Sequence, residues 1–446
     1  MLRALRQPFA IAFDSAVQGE LGRESCFSFA PSMLLQCTGR SATFQRGRHA
    51  SQLEGDPLEV FERVERFTQQ ECPLLEPLHT PGFTGGWAGL LGFDLRCFIE
   101  DLPPPKPHGP QFPDLQAGFY PWVVALDHAS GACELRLLHG APGGPEDIGE
   151  LAQRLHELLS RELPSSPATF SAPELHTTRD GYLAQVLRVK HHIREGDIYQ
   201  ANLTRMVSRE AACEPSSLYA SLRTANPAPF AGFLDCGQGF AVLSSSPERF
   251  LSVRGGVCET RPIKGTRPRG PDAEQDARLK AELAASEKDR AELTMIVDLE
   301  RNDLSRVCVP GTVKVPSLLH VHSYARVHHL ESTVVGELRE GVTPVELIRA
   351  TFPGGSISGA PKKRALEIIH ELEPVRRGPY TGSLFWLRPD GDFESNILIR
   401  TLLCEPGRVS YHVGGGIVAD SEPESEWAET LAKADALERA IAGAAR

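Results

Sequence analysis

The sequence predicts an α+β fold built on largely antiparallel sheets. Three observations carry this. Strand-like and helix-like segments are both plentiful, yet they do not alternate as a doubly wound sheet requires. There is no internal repeat of the kind that marks a solenoid or propeller. The chain has 446 residues, long for one core, so two domains or one large composite domain is expected.

Composition narrows the class further. With 41% hydrophobic and 24% charged residues, the chain has the balance of a globular protein. No apolar run approaches the ~18 residues of a membrane span. The segment after Met1 lacks the apolar core of a secretory leader. A net charge of −11 argues against a general nucleic-acid binder. The ten cysteines are scattered, with no C-x-x-C pair and no zinc spacing. They read as reduced thiols, and the expected location is cytoplasmic.

The elements follow in order. Residues 1–100 read as strands and turns with some helix. Gly85–Phe93, a glycine-dotted apolar run, suits close backbone approach in a sheet. Residues 102–114 hold too many prolines for regular structure and predict a surface loop. Leu151–Leu163 has helical spacing, and 164–173 (P-S-S-P-A-T-F-S-A-P) reads as a linker. The linker divides a β-rich region, 1–163, from a region 174–446 that carries the chemistry. In the latter, Asp180–Arg194 predicts a helix and Ile198–Val207 a strand. Phe240–Leu243 and Phe250–Val253 are strands flanking S-S-S-P-E-R. Asp272–Asp298 reads as one long helix, with Pro271 at its start. Pro361–Leu372 is a helix; Leu384–Leu387, Asn396–Leu403 and Arg408–Val413 are strands. Ser421 and Glu424 form a capping box that opens a final helix.

Several residue patterns suggest chemistry. Asp289 and Glu292 are three apart on the long helix. Glu426 and Glu429 are three apart on the last, with Lys433 four further on; each set shares a helix face. Two acidic pairs on two helices suit a hard cation such as Mg²⁺, although solvated helix faces give the same spacing. Glu292 leads into an apolar run, and a carboxylate at the rim of a core needs a partner. In H-V-G-G-G-I-V-A-D (412–420), backbone amides at Gly414, Gly415 and Gly416 suit a carboxylate ahead of a helix N-terminus. The match of this segment to a dinucleotide fingerprint lacks its βαβ context. F-P-G-G-S-I-S-G-A-P-K (352–362) lacks the Lys-Ser/Thr of a P-loop. His328 and His329 are adjacent in a strand, so only one can face a site. Arg400 closes an apolar strand and needs an acid, either internal or from a ligand. R-P-I-K-G-T-R-P-R-G (261–270) has the composition of a basic turn, with Lys264 at its centre.

Together these segments resemble one family, the chorismate-utilising enzymes, which include component I of anthranilate and aminodeoxychorismate synthases and the isochorismate and salicylate synthases. The resemblance rests on G-D-I-Y-Q-A-N-L-T-R (196–205), N-P-A-P-F (226–230), S-P-E-R-F (246–250) and P-I-K-G-T-R-P-R-G. It continues through D-L-E-R-N-D-L-S-R-V (298–307), H-L-E-S-T-V-V-G-E-L (329–338), F-P-G-G-S-I-S-G-A-P-K, R-G-P-Y-T-G-S (377–383), I-R-T and G-G-G-I-V-A-D-S-E-P-E-S-E-W-A-E-T-L-A-K. N-terminally it is thinner, resting on F-D-S-A (13–16) and P-G-F-T-G-G-W-A-G-L-L-G-F-D. It implies one α+β fold of two packed antiparallel sheets with helices outside, and it implies Mg²⁺ and chorismate. By matched position Glu292 and Glu429 would hold Mg²⁺ directly, with Asp289 and Glu426 holding it through water. Relatives often carry Glu where Asp289 stands. Tyr380 and Arg400 would bind the enolpyruvyl carboxylate. Ser356, Lys433 and the amides of Gly414–Gly416 would also bind substrate, and His329 would sit over the ring. A divalent cation lets an acidic protein hold a dianion, because the ion reverses the local sign of charge.

Single residues choose within the family. Isochorismate and salicylate synthases carry a water-activating lysine where this chain has Gln200, so addition of water at C2 is not expected. P-I-K-G-T resembles the aminodeoxychorismate branch, where anthranilate synthases have P-I-A-G-T. The implied roles are Lys264 as a nucleophile adding at C2 and Glu248 as general acid and base. Burial, Mg²⁺, Arg267 and Arg269 would lower the lysine's pKa. No glutaminase signature is present, so a separate glutamine amidotransferase subunit is expected to supply ammonia. N-P-A-P-F and F-D-S-A resemble a tryptophan-site pair, so tryptophan is a possible ligand. Anthranilate synthesis, with pyruvate release, is the alternative activity.

Overall fold

The computed structural model describes residues 1–17, 22–71, 80–161, 167–324 and 327–445. Their strands form two twelve-stranded sheets, and their named pairings are antiparallel. The predicted α+β class and the two-sheet architecture are both found.

Each sheet is composite. The first runs from Gln200–Ala212 through Arg408–Ile417, Thr401–Glu405, Phe240–Ser246 and Phe230–Gly237 to Ile11–Asp14, Glu24–Ser28, Trp122–Asp127 and Cys133–Leu137. The second runs from Ile263–Pro268 through Val327–Glu337, Val257–Thr260, Arg249–Arg254, Phe393–Asn396 and Ser383–Leu387 to Gly86–Leu91, Leu115–Tyr120 and Met33–Thr38. Residues 1–163 and 174–446 therefore share both sheets. An apolar layer that includes Ile11, Leu90, Val242, Leu384 and Leu403 lies between them, as expected for face-packed sheets. Helices Pro215–Ala225 and Pro423–Ala444 cover the outer face of the first sheet through Leu218, Leu222, Leu437 and Ile441.

Two strand pairs change sheets side by side, and this positions the site. Phe240–Ser246 of the first sheet passes through Pro247 and Glu248 into Arg249–Arg254 of the second. Pro247 has no N–H for a ladder, so the strand breaks there. Close by, Phe393–Asn396 of the second sheet passes through 397–400 into Thr401–Glu405 of the first. The crossings are tied together. Ile397 N donates to Glu248 O at 3.1 Å, and Ser245 N donates to Arg400 O at 3.1 Å. Ser246 Oγ donates to Ile397 O at 2.6 Å.

The structure corrects several expectations. Asn396–Leu403 is not one strand, because the crossing interrupts it and leaves Arg400 at φ 51°. The helix expected over Asp272–Asp298 is two, Ala273–Ala285 and Glu287–Ser305. Ser286 separates them, its hydroxyl accepting from Asp289 N as an N-cap. Ser421 does not cap the final helix. Its hydroxyl accepts from Val418 N at 3.1 Å, and Glu422 is the residue at the cap. Gly414–Gly416 lie inside the strand Arg408–Ile417, opposite Asn202–Thr204, rather than in a loop. Part of the expected linker is ordered, with Thr169–Phe170 pairing to Ala211–Ala212; residues 164–166 lie outside the described residues. Among those described, no helix is long and apolar enough to cross a membrane, and the nine cysteines are free thiols.

Candidate active site

The site gathers at the two sheet crossings, beneath the N-terminal turns of helices Glu287–Ser305 and Pro423–Ala444. Lys264 comes from the strand Ile263–Pro268, which is bulged between Lys264 and Thr266. Its side chain is 15% exposed, and its Nζ lies 2.6 Å from Glu292 Oε1. The two groups form a close ion pair. Burial works against the ammonium, but Glu292, Glu248 and Glu429 outweigh it and raise the lysine's pKa. The expected help from Arg267 and Arg269 is not found. Arg267 pairs with Glu282 and stands 3.7 Å from Asp289, and Arg269 pairs with Asp276.

Glu248 is 4% exposed. Burial raises its pKa to about 7, against the pull of Ser356 and Lys264. The Ser356 hydroxyl lies close enough to affect Glu248, but it has no aligned partner, and neither does Glu248 Oε1. Arg400 is pushed down by burial and touched by the charge of Glu248. Among the described residues no carboxylate forms an ion pair with it. His329 is 4% exposed, and its Nδ1 meets Thr266 Oγ1 at 2.9 Å. Burial and Arg400 lower its pKa to about 3, so it is a neutral imidazole. His328 points the other way, to Ser323 and Asp276. Tyr380 is buried and stacks on His412 with centroids 5.2 Å apart.

The glycines make room for the carboxylates. A Cβ on Gly416 would stand 2.5 Å from Glu292 Oε1 and 2.5 Å from Gln200 Nε2. A Cβ on Gly415 would stand 3.2 Å from Glu429 Oε1, 3.5 Å from Glu426 Oε2 and 3.6 Å from Lys433 Nζ. Glu426 and Glu429 therefore flank Gly415, and Glu292 flanks the next residue of the same strand, Gly416. Lys433 Nζ lies 2.6 Å from Glu429 and donates to Gly414 O at 2.8 Å. Burial raises Glu426; it raises Glu429 too, but Lys433 outweighs it and the net shift there is downward. Asp289 stands one turn away, against Gly265 and Arg267. Among the described residues no three acidic, histidine or cysteine groups form a ready-made metal cluster. The donor set still suits a hard cation, because it offers carboxylate oxygens from two helices.

Sequence reasoning used Gln200 only as a discriminator. The structure places it beside Glu292 and Gly416, fully buried, with neither amide atom hydrogen-bonded among the described residues. It also adds Glu331, two residues after His329, a spacing visible in H-L-E-S-T.

A second cavity, of about 560 Å³, is lined by none of these groups. It brings F-D-S-A and N-P-A-P-F together, lined by Phe13, Asp14, Phe230, Arg249, Trp386 and Asn396.

A buried guanidinium with no acid partner among the described residues suits a small anionic substrate, and comparison with known proteins gives the class of the protein. Residues 13–439 match the family described as chorismate binding enzyme, and the chain belongs to that family. It is similar to aminodeoxychorismate synthase component 1 of Bacillus subtilis, 37% identical over 94% of this chain and 89% of that protein. It is similar also to anthranilate synthase component 1 of Thermus thermophilus, 40% identical over 98% of this chain and 93% of that one. Among solved structures, anthranilate synthase component I from Streptococcus pneumoniae superposes with a TM-score of 0.79 at 28% identity, covering 94% of this chain and 93% of that one.

Proposed function

We propose that this chain converts chorismate and ammonia to 4-amino-4-deoxychorismate, a precursor for 4-aminobenzoate and folate. The observation that carries the reading is Lys264, an amine at 15% exposure in the site, beside an acid whose pKa is raised to about 7.

Arg400 and Tyr380 take the enolpyruvyl carboxylate, which gives the guanidinium an anion. Ser356, Lys433 and the strand amides at Gly414–Gly416 hold the rest of the substrate, with His329 over the ring. Lys264, as free amine, attacks C2; the double bond shifts and the C4–O bond breaks. Glu248 gives its proton to the departing hydroxyl, so water leaves. Ammonia then attacks C4, the double bond returns and the C2–N bond to Lys264 breaks. Glu248 accepts the proton lost by the incoming nitrogen. Two successive allylic displacements retain the face of substitution and keep the enolpyruvyl group. The lysine must first shed its proton, which burial favours and its carboxylate neighbours oppose. Glu292 and Glu429 would hold Mg²⁺ directly, with Glu426 and Asp289 through water. When bound, the ion neutralises the carboxylates that would otherwise repel a dianion.

Ammonia is proposed to come from a separate glutamine amidotransferase subunit; glutamine-dependent turnover by this chain alone would refute that. Tryptophan is the proposed occupant of the second cavity, tested by thermal unfolding with and without it. The alternative activity, anthranilate formation with pyruvate release, is kept open by the anthranilate synthase relatives. One assay separates the two. The chain is incubated with chorismate, Mg²⁺ and ammonium, then treated with an aminodeoxychorismate lyase. 4-Aminobenzoate that forms only after the lyase supports this reading; fluorescent anthranilate before it supports the alternative. Lys264→Ala is expected to abolish the aminated product or divert it to anthranilate. Unchanged product from that variant removes the covalent step.

A further inference from the structure

The last helix, Pro423–Ala444, carries Glu426, Glu429 and Lys433. A cation that also takes Glu292 must join it to a second helix, so its seat on the first sheet matters. One buried residue beneath it takes no part in the chemistry. Arg205 is 3% exposed on the strand Gln200–Ala212. Leu203 of that strand lies opposite Gly415, and Arg205 lies opposite Val413. Alternate residues of a strand share a face, so Arg205 projects on the side where Glu426 and Glu429 flank Gly415.

Its guanidinium reaches the helix at two points. It lies 4.4 Å from the centre of the Trp427 ring, and its Nε donates to Thr430 Oγ1 at 2.9 Å. The Thr430 hydroxyl in turn donates to Trp427 O at 2.8 Å. Trp427 follows Glu426 and Thr430 follows Glu429, so each contact falls one residue after a carboxylate. Trp427 also meets Tyr182 of the helix Arg179–Arg194, with ring centres 5.8 Å apart.

A buried guanidinium is a costly way to seat a helix, since an apolar side chain would fill the space without desolvating a charge. What it adds is direction. Apolar burial is non-directional, whereas a planar fork that stacks on a ring and donates to a hydroxyl resists both rotation and sliding. Each helical residue turns by about 100° and rises about 1.5 Å, so a slip of one residue would carry both carboxylates away from Gly415. Mg²⁺ tolerates little such error, because it demands near-ideal octahedral geometry.

We infer that Arg205 is a positioning residue for the cation site. Through Trp427 and Thr430 it sets the rotation and height of the last helix, and so keeps Glu426 and Glu429 at Gly415, next to Glu292 at Gly416. The inference rests on the reading of these carboxylates as Mg²⁺ ligands.

The test reads binding without turnover. Mn²⁺, which takes the same oxygen ligands, is titrated into the protein while free ion is followed by electron paramagnetic resonance, with Mg²⁺ added as competitor. Arg205→Met is expected to weaken Mn²⁺ binding by about tenfold or more, the scale of a lost support behind metal ligands. Trp427→Leu should do the same, and Trp427→Phe, which keeps a ring for the guanidinium, should restore most of the affinity. Thr430→Val loses one hydroxyl and should weaken binding by less; it covers the case in which Arg205→Met fails to fold. Arg209→Met is the control. It removes the contact of Arg209 Nη2 with Glu438 Oε2, 2.6 Å, further along the same helix, and should leave the affinity unchanged. Unchanged affinity in a folded Arg205→Met or in Thr430→Val, or an equal loss in Arg209→Met, overturns the inference. Glu429→Gln separates the two levels. If it binds Mn²⁺ as wild type does, the reading of the carboxylates fails and the inference with it; if it loses the ion while Arg205→Met and Thr430→Val keep it, only the role of Arg205 fails.

Discussion

Two buried polar clusters lie on one strand of this protein, and they are built in opposite ways. Gln200, Asn202 and Thr204 alternate along Gln200–Ala212. At the Asn202–Thr204 end, Arg377 is 1% exposed and fully engaged. It donates to both oxygens of Glu373 at 2.9 and 2.7 Å, to Asn202 O at 2.6 Å, and to Thr381 Oγ1 and Ile357 O at 3.2 Å. Thr204 gives Glu373 Oε1 two further bonds, from its amide and its hydroxyl. At the Gln200 end, Gln200, Glu248 and Ser356 are as deeply buried, yet each has a polar atom without an aligned partner. An unmade buried hydrogen bond costs stability. One cluster spends its polarity on the fold, and the other holds it for a ligand.

Breaking the closed cluster is expected to give the largest change in stability. Arg377→Met leaves Glu373 charged and buried beside Asn202 and Thr204, a loss of about 3–5 kcal/mol for an uncompensated partner. Chemical denaturation measures it; a midpoint within error of wild type would show that the cluster is not closed in solution.

In the open cluster, Glu248→Gln is expected to lower kcat by roughly 10³-fold, the scale of a lost general acid, while the protein stays folded. The same variant tests the physical cause. Burial raises Glu248 from 4.5 to about 7, so the folded state binds this proton more tightly than the unfolded chain. Its contribution is fully present below pH about 4.5 and is lost as pH rises through about 7. Unfolding free energy measured across that window should decline in wild type and decline less in Glu248→Gln. Parallel curves would mean that the carboxyl is not desolvated as the structure has it.

Arg400→Ala removes a guanidinium that has no acid partner among the described residues. It is expected to raise KM by about 10²-fold, the scale of a lost charge-assisted pair, with a denaturation midpoint near wild type. A large loss of stability would instead mean that the fold uses this charge.

The two clusters differed in legibility as well. The α+β class and the opposite directions of His328 and His329 were readable, and the candidate residues of the open cluster were named because they sit in contiguous segments such as S-P-E-R and P-I-K-G-T. Composite sheets were not, since the pairing of Ile11–Asp14 with Phe230–Gly237 leaves no local trace. The two-helix break at Ser286 was hidden in a segment of good helix formers; only the N-cap preference of serine marked it. Ser421 misled because a local capping rule competes with the nearby Val418 amide, which took the hydroxyl. Arg377 and Glu373 were overlooked because Pro374 ends the helix between them. Their contact depends on the turn that follows.

The finest contrast comes from two hydroxyls of similar burial. Thr204 Oγ1 donates to Glu373 Oε1 at 2.8 Å, whereas Ser356 Oγ has no aligned partner. Thr204→Val keeps the shape and removes one donor from a charged acceptor, so it should cost about 1.5–3 kcal/mol. Ser356→Ala removes a hydroxyl that the fold does not use, so stability should stay within about 0.5 kcal/mol of wild type. Turnover should reverse the order. Ser356→Ala loses a contact to substrate and one of the influences that draw Glu248 toward its charged form. The alkaline limb of its pH–rate profile should therefore move slightly to higher pH. Thr204→Val should leave that limb in place. If both hydroxyls cost the same stability and neither moves the limb, the division between a closed and an open cluster on one strand fails.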